Sequence, residues 1–343
     1  MRAYVGAYTR HGRSTGITVF DVEPSSGALR QTQFVAESDP SFLAFHPSDR
    51  FLFSVSEGLG KDAGEVVSFT HDPATGALST INRQKTGGGE PCHLCVDPGG
   101  KWVIVANHEH GSVAVFPVDA DGQLGPRTDL LQHEGSGPGP TQEGPHAHFV
   151  TFDPAGERVL VNDKGIDQVV RYRLETRAGK LVPDDPPFSR VHAGAAPRHL
   201  SFHPNGRYVY VNGEADMTIS AFTYPDFVEL QVLPTVPEDV PREGLSTAQI
   251  MVSPDGRFVY VSNRGHDSLA MFAIDSATGR LTPLGNVSTG GKTPRNFNIL
   301  GDRLYAANQG SDTIVQFRIG SDGRLVPTGD VTPVGAPVCI VFG

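Results

Sequence analysis

Hydrophobic positions along the chain fall in short alternating runs broken by polar turns, and the arrangement recurs. PSFLAFHPSDRFLFSVSEG from Pro40, PCHLCVDPGGKWVIVANHE from Pro91 and AHFVTFDPAGERVLVNDKG from Ala147 share it with PRHLSFHPNGRYVYVNGE from Pro197, TAQIMVSPDGRFVYVSNRG from Thr247 and PRNFNILGDRLYAANQG from Pro294. Each reads as an apolar strand, a turn such as HPNGR or SPDGR, and a second strand. A third strand follows (SVAVFPVD, SLAMFAID), then a turn rich in Gly and Asp and a fourth strand. The copies begin 43 to 56 residues apart, and a seventh, PVCIVFG from Pro337, stops at Gly343 after one strand. Its missing strands stand at the other end of the chain, in RAYVGAY, GITVFDVE and ALRQTQFVA. A four-stranded repeat of about 50 residues predicts an all-β, seven-bladed β-propeller spanning 1–343 as a single domain, one blade being closed by both termini.

Composition agrees. The 40 glycines and 27 prolines are about a fifth of the 343 residues, which disfavours helices, and no helical period is present. The net charge of −10 argues against a nucleic-acid surface, because phosphate backbones demand clustered Lys and Arg. No apolar run is long enough to span a membrane. The start, MRAYVGAYTR, reads as a strand and not as a leader. Three cysteines (Cys92, Cys95, Cys339) suit a reducing compartment, so a cytoplasmic location is expected.

Propeller connectivity then makes repeat positions chemically informative. The start of each innermost strand and the end of each second strand lie at the same mouth of the central channel. The first set is Ser41, Cys92, His148, Arg198, Ala248, Arg295 and Val338. The second is Tyr8, Glu57, His108, Gly165, Glu214, Arg264 and Gln309, with Ser56, Asn107, Asn263 and Asn308 just before. A purely structural repeat asks only for apolar residues and turn formers, yet these positions carry imidazoles, guanidiniums and carboxylates. Convergent polar groups in a concave site are the default expectation for a functional centre.

Other motifs are weaker. Cys92-x-x-Cys95 lacks a second pair and sits on a strand, where residues three apart face opposite sides, so buried thiols are expected rather than zinc. TGGKTP (289–294) resembles the tail of a phosphate loop, but Asn286 replaces the opening glycine and Pro294 blocks the following helix. His146 and His148 present two imidazoles on one side of a strand. The Gly/Pro-rich segment 133–145 is a connector or a lid over the channel mouth. No G-x-S-x-G elbow is present.

At this point the chain resembles the lactonase-type seven-bladed propellers, which include the propeller-type bacterial 6-phosphogluconolactonases and the fungal carboxymuconate-lactonising cyclases. The resemblance spans the chain and is carried by QEGPHAHFV (142–150), PRHLSFHPNGRYVYV (197–211), VSPDGRFVYVSNRGHDS (252–268), STGGKTPRNF (288–297), ANQGSDTIVQFRI (307–319) and APVCIVF (336–342). It implies ester-type chemistry on a cyclic lactone with no metal and no cofactor, and it maps the catalytic set onto His148, Arg198, Glu214 and Arg264. Departures lie around the pocket: Gly213 for the usual Asn, Asp163-Lys164-Gly165 for Asp-Leu-Gly, Gln249 for a Glu, and Asn107-His108-Glu109-His110 for a stretch like Asn-Tyr-Gly-Gly.

The expected function is hydrolysis of a sugar lactone, 6-phosphoglucono-1,5-lactone first, with Glu214 or His148 as the base and Arg198 stabilising the oxyanion. His146, Glu57, Asn107, His199, Lys292, Arg295 and Asn308 are expected to bind substrate, the cations holding a phosphate or carboxylate. The expected partner is therefore a small anionic lactone or acid. The alternatives are the cyclase reaction on a carboxymuconate and a non-enzymatic interaction platform. Calcium is not expected, because His148, Arg198, Arg264 and Arg295 share the rim with Glu57, Glu214, Asn107, Asn263 and Asn308.

Overall fold

The computed structural model describes residues 1–10, 12–60 and 63–343. Seven antiparallel sheets of four strands each form the fold, and the described residues contain no helix. None is therefore long and apolar enough to cross a membrane. The inner strands are Leu43–Phe45, Pro91–Val96, Ala147–Phe152, Pro197–Phe202, Ser246–Val252, Pro294–Leu300 and Pro337–Phe342. Each touches the next, and the last returns to the first, so the ring closes around a central channel. In the closing blade the C-terminal strand Pro337–Phe342 pairs with Arg2–Ala7, followed by Gly16–Val22 and Leu29–Ala36. The expected blade count and closure by both termini are thus observed.

The repeat sequence also explains how neighbouring blades are fastened. Tyr4, Tyr210, Tyr260 and Tyr305 come from equivalent second strands and are fully buried between blades. Their hydroxyls donate to the carbonyls of Gly76, Gly279, Gly323 and Gly27 at 2.9–3.2 Å, each in the turn before the outer strand of the following blade. Those glycines hold φ between 72° and 81°, and a Cβ there would press on the adjoining blade. The recurring SG, TG and DG turns are therefore docking sites for the neighbouring tyrosine.

Two local irregularities aim side chains into the channel. In six inner strands the pairing slips at or beside the residue after the opening one, leaving Cys92, His148, Arg198, Ala248, Arg295 and Val338 without a cross-strand partner. Such bulges re-aim a side chain and are common beside active sites. Immediately before the proline that opens an inner strand, Glu90, Ala196, Thr293 and Ala336 lie at φ of 42–57°. A left-handed conformation costs an L-residue roughly 1–2 kcal/mol. Aspartates in the preceding blade's turn offset this: Asp167 accepts from the Ala196 amide at 2.9 Å, Asp267 from Thr293 at 2.7 Å and Asp312 from Ala336 at 2.7 Å.

Asp167 is the most enclosed of these clamps. It also accepts from the Gly194 amide and from Gln142 Nε2, both at 2.7 Å. Asp167→Ala leaves these donors unmatched and lowers stability by about 1–3 kcal/mol. A shift of the urea midpoint at unchanged m-value measures this.

Candidate active site

At the channel mouth a cavity of about 230 Å³ is lined by Glu57, Glu90, Cys92, His108, His148, Lys164, Arg198, Glu214, Arg264 and Arg295. This is below the roughly 300 Å³ at which pockets for drug-sized ligands begin, so the room suits one small polar molecule. Four cationic side chains face three carboxylates, and this locally positive mouth belongs to a protein of net charge −10.

Glu214 is the hub. Its Oε1 receives Lys164 Nζ at 2.5 Å, and its Oε2 lies 2.7 Å from Arg198 Nε and 3.1 Å from Arg264 Nη2. The three cations come from three successive blades. Burial by itself would raise the Glu214 carboxyl, but Lys164, Arg264 and Arg198 hold it well below the usual carboxylate range. A carboxylate held in this way is a poor proton acceptor. Arg198 Nη1 donates to the Ala248 carbonyl at 2.7 Å, and Arg264 Nη2 donates to that of Thr247 at 2.9 Å, so both guanidiniums are fixed by one inner strand, Ser246–Val252, which belongs to the blade after Arg198 and to Arg264's own blade.

His148 differs. It is buried, and among the described residues its Nδ1 faces no partner and nothing bonds its Nε2, which opens towards the cavity. Burial, reinforced by the Arg198 and Lys164 charges, pushes its protonation well below the ordinary imidazole value. His148 is thus a neutral base with one accessible nitrogen. His108 meets it edge to face at 5.6 Å and approaches Glu90 Oε2 through Nδ1 at 3.2 Å.

On the other side of the mouth, the Tyr8 hydroxyl donates to Glu57 at 2.9 Å, and Arg10 Nη2 donates to the same carboxylate at 3.2 Å. Arg295 sits 5.0 Å above the Tyr8 ring and, among the described residues, forms no ion pair. Its guanidinium faces the cavity as an uncommitted anion anchor.

The structure therefore gathers His148, Arg198, Glu214, Arg264, Glu57 and Arg295 around one cavity, and it leaves the other expected substrate-binding residues outside the lining. His199 lies behind Arg198: it accepts from Arg198 Nη1 at 3.1 Å through Nε2, and its Nδ1–H donates to Gln249 Oε1 at 2.6 Å. His146 stacks on His108 at 4.9 Å, with Nδ1 turned to the His108 carbonyl. Asn107 and Asn308 are fully buried, donating to Ser112 Oγ and to the Thr289 carbonyl. Each directly precedes a mouth-facing position, and successive side chains at a strand end point to opposite sides. Lys292 is exposed on the turn before the Pro294–Leu300 strand.

Lys164 was missed through a register error of one residue. Asp163 pairs with Gln168 as Gly213 pairs with Thr218 and Asn107 with Ser112, so Lys164, and not Gly165, is the equivalent of Glu214 and His108. Counting from Val161 of the second strand would have found it. The segment 133–145 does not line the cavity. Its buried Gln142 donates to the Lys164 carbonyl at 2.6 Å, so it buttresses the site. Among the described residues, no three His, Cys, Asp or Glu side chains are grouped to hold a metal ion.

A family model described as "Lactonase, 7-bladed beta-propeller" matches residues 2–342. The chain is 35% identical over 350 aligned positions to the 6-phosphogluconolactonase of Bacillus subtilis, covering 99% of this chain and 97% of the relative. It is 32% identical to the 6-phosphogluconolactonase of Formosa agariphila, covering 95% and 93%. Among solved structures, the periplasmic gluconolactonase of Pseudomonas aeruginosa superimposes with a TM-score of 0.93 at 32% identity, covering 99% of this chain and 98% of that one.

Proposed function

The chain belongs to the seven-bladed β-propeller lactonase family, and from that premise we propose that it hydrolyses a sugar lactone, with 6-phosphoglucono-1,5-lactone the leading substrate. Relatives that carry this activity in their names align over nearly the whole chain, which supports a lactone-opening hydrolase. One observation carries the mechanism: a neutral imidazole with an open nitrogen shares a small cavity with four cations.

In this reading His148 Nε2 removes a proton from the water that attacks the lactone carbonyl. Arg198, pinned by Glu214 and the Ala248 carbonyl, stabilises the oxyanion. Glu214 holds the cations in place and does not act as the base. Arg295 takes the substrate's phosphate, with Arg264 beside it. Guanidiniums supply the charge stabilisation, so the reading is metal-independent. The three free cysteines suit a cytoplasmic setting.

The test is a pH-stat screen of 6-phosphoglucono-1,5-lactone, glucono-1,5-lactone and a tricarboxylic muconate, each with and without EDTA. The phosphorylated lactone is expected to be turned over best, with no effect of EDTA. Arg295→Met raises KM for that lactone roughly 10–100-fold, the worth of a lost charged hydrogen bond, and leaves glucono-1,5-lactone within about 3-fold. Equal use of the two lactones would remove the phosphate assignment. Loss of turnover in EDTA, restored by calcium, would overturn metal independence, and turnover of the muconate alone would favour the cyclase.

A further inference from the structure

Ring opening of a lactone expels an alkoxide, a strongly basic leaving group that needs a proton as the bond breaks. Most of the cavity lining cannot give one. Arg264 and Arg295 are guanidiniums, among the weakest acids a protein offers, and Arg198, though burial lowers it to about 9, is committed through Nε to Glu214 and through Nη1 to the Ala248 carbonyl. Glu214 is held ionised by its three cations. The Cys92 thiol is pushed up by burial and packs against the His148 carbonyl at 3.3 Å. Among the lining residues only Lys164 offers a primary ammonium.

Its placement is specific. Among the described residues Lys164 Nζ gives one bond, to Glu214 Oε1, and an ammonium has three donors, so two remain there for a ligand in the cavity. The backbone is held on both sides: the Lys164 amide donates to the His146 carbonyl at 3.0 Å, and its own carbonyl accepts from Gln142. Loss of the ammonium proton would not orphan Glu214, which keeps Arg198 and Arg264 on Oε2.

We propose that Lys164 is the general acid of ring opening, its Nζ passing a proton to the ester ring oxygen as that oxygen leaves the carbonyl carbon. This role rests on the lactone-hydrolase reading. The attacking water gives one proton to His148 Nε2 while its oxygen bonds to the carbonyl carbon, and the carbonyl π pair moves to the oxyanion beside Arg198. When the carbonyl re-forms, the C–O bond to the ring oxygen breaks and that oxygen takes the Lys164 proton, becoming a hydroxyl. The imidazolium then returns its proton to the neutral amine through water, and the new carboxylic acid ionises to solvent. Burial lowers the Lys164 ammonium below an ordinary lysine, with Arg198 and Arg264 acting in the same direction against Glu214, which eases the transfer.

The experiment measures kcat and KM for 6-phosphoglucono-1,5-lactone from about pH 6 up to 10.5, the ordinary lysine value below which Lys164 is held, in the full-length wild type, Lys164→Arg and Lys164→Met, with spontaneous hydrolysis subtracted. Arg keeps the charge beside Glu214 but releases no proton. Both variants are expected to lose about 10²-fold in kcat with KM within about 3-fold. The wild-type rate is expected to fall on the alkaline side as Lys164 deprotonates, and both variants lose that part of the fall, keeping only what the Arg198 guanidinium, lowered to about 9, contributes. Activity of Lys164→Arg within about 3-fold of wild type would mean that charge alone suffices, and the role would be overturned. A wild-type profile without an alkaline limb would overturn it as well, whether or not the variants fold. No turnover by the wild type brings down the hydrolase reading itself, a result distinct from either of these.

Discussion

His148→Ala is expected to lower kcat for 6-phosphoglucono-1,5-lactone about 10³-fold and to leave KM within about 3-fold, because general-base catalysis is typically worth 10²–10⁴. His148 is buried with an open Nε2, and its neutral form is favoured first by burial and then by Arg198 and Lys164. The base is active when unprotonated, so its lowered pKa keeps wild-type kcat/KM level as the pH falls through the ordinary imidazole value of 6.5. The acid limb lies below that value, and it disappears in His148→Ala. A wild-type limb centred at or above 6.5 would mean that some other group is the base.

Glu214→Gln is expected to have the largest structural effect. The amide leaves Lys164, Arg198 and Arg264 facing one another without their shared carboxylate. Breaking a buried ion pair from one side costs about 3–5 kcal/mol. Glu214 is 18% exposed through the cavity, so the low end of that range, about 3 kcal/mol, is expected. Because its folded pKa is depressed, the carboxylate's stabilisation is fully present above the ordinary value of 4.5 and is lost as the pH falls through the lowered one. The stability gap between wild type and variant should therefore be constant from neutral pH down to about 4.5 and shrink below it, as measured by urea midpoints. Inorganic phosphate, an anion able to sit among the released cations, should narrow the gap at neutral pH. kcat should fall with stability, since Arg198 loses the contact on its Nε.

Much of this site is legible in the sequence. Strand alternation and blade connectivity are local properties, and they placed His148, Arg198, Glu214, Arg264, Glu57 and Arg295 at one mouth because equivalent repeat positions must share a face. Where reading failed, the cause was geometric. Asn107 and Asn308 sit one residue from a mouth-facing position, and one residue is enough to turn a side chain away. His199, expected to bind substrate, follows Arg198 inside a bulge and instead packs against its guanidinium, outside the cavity lining. Lys292 carries the right charge but stands on an exposed turn outside the lining.

The sequence by itself determined the strand pattern, the number of blades, the closure by both ends and the composition of the rim, because each follows from a period repeated along the chain. Which rim residues pair was decided only by the tertiary structure. Lys164, Arg198, Glu214 and Arg264 span a hundred residues of sequence, and their contacts depend on how separate blades dock through buried tyrosines and turn glycines. The same packing decides protonation. Glu214 and His148 are both potential bases as residues, but three cations hold the first ionised against the effect of its burial, while burial, with the Arg198 and Lys164 charges, keeps the second neutral.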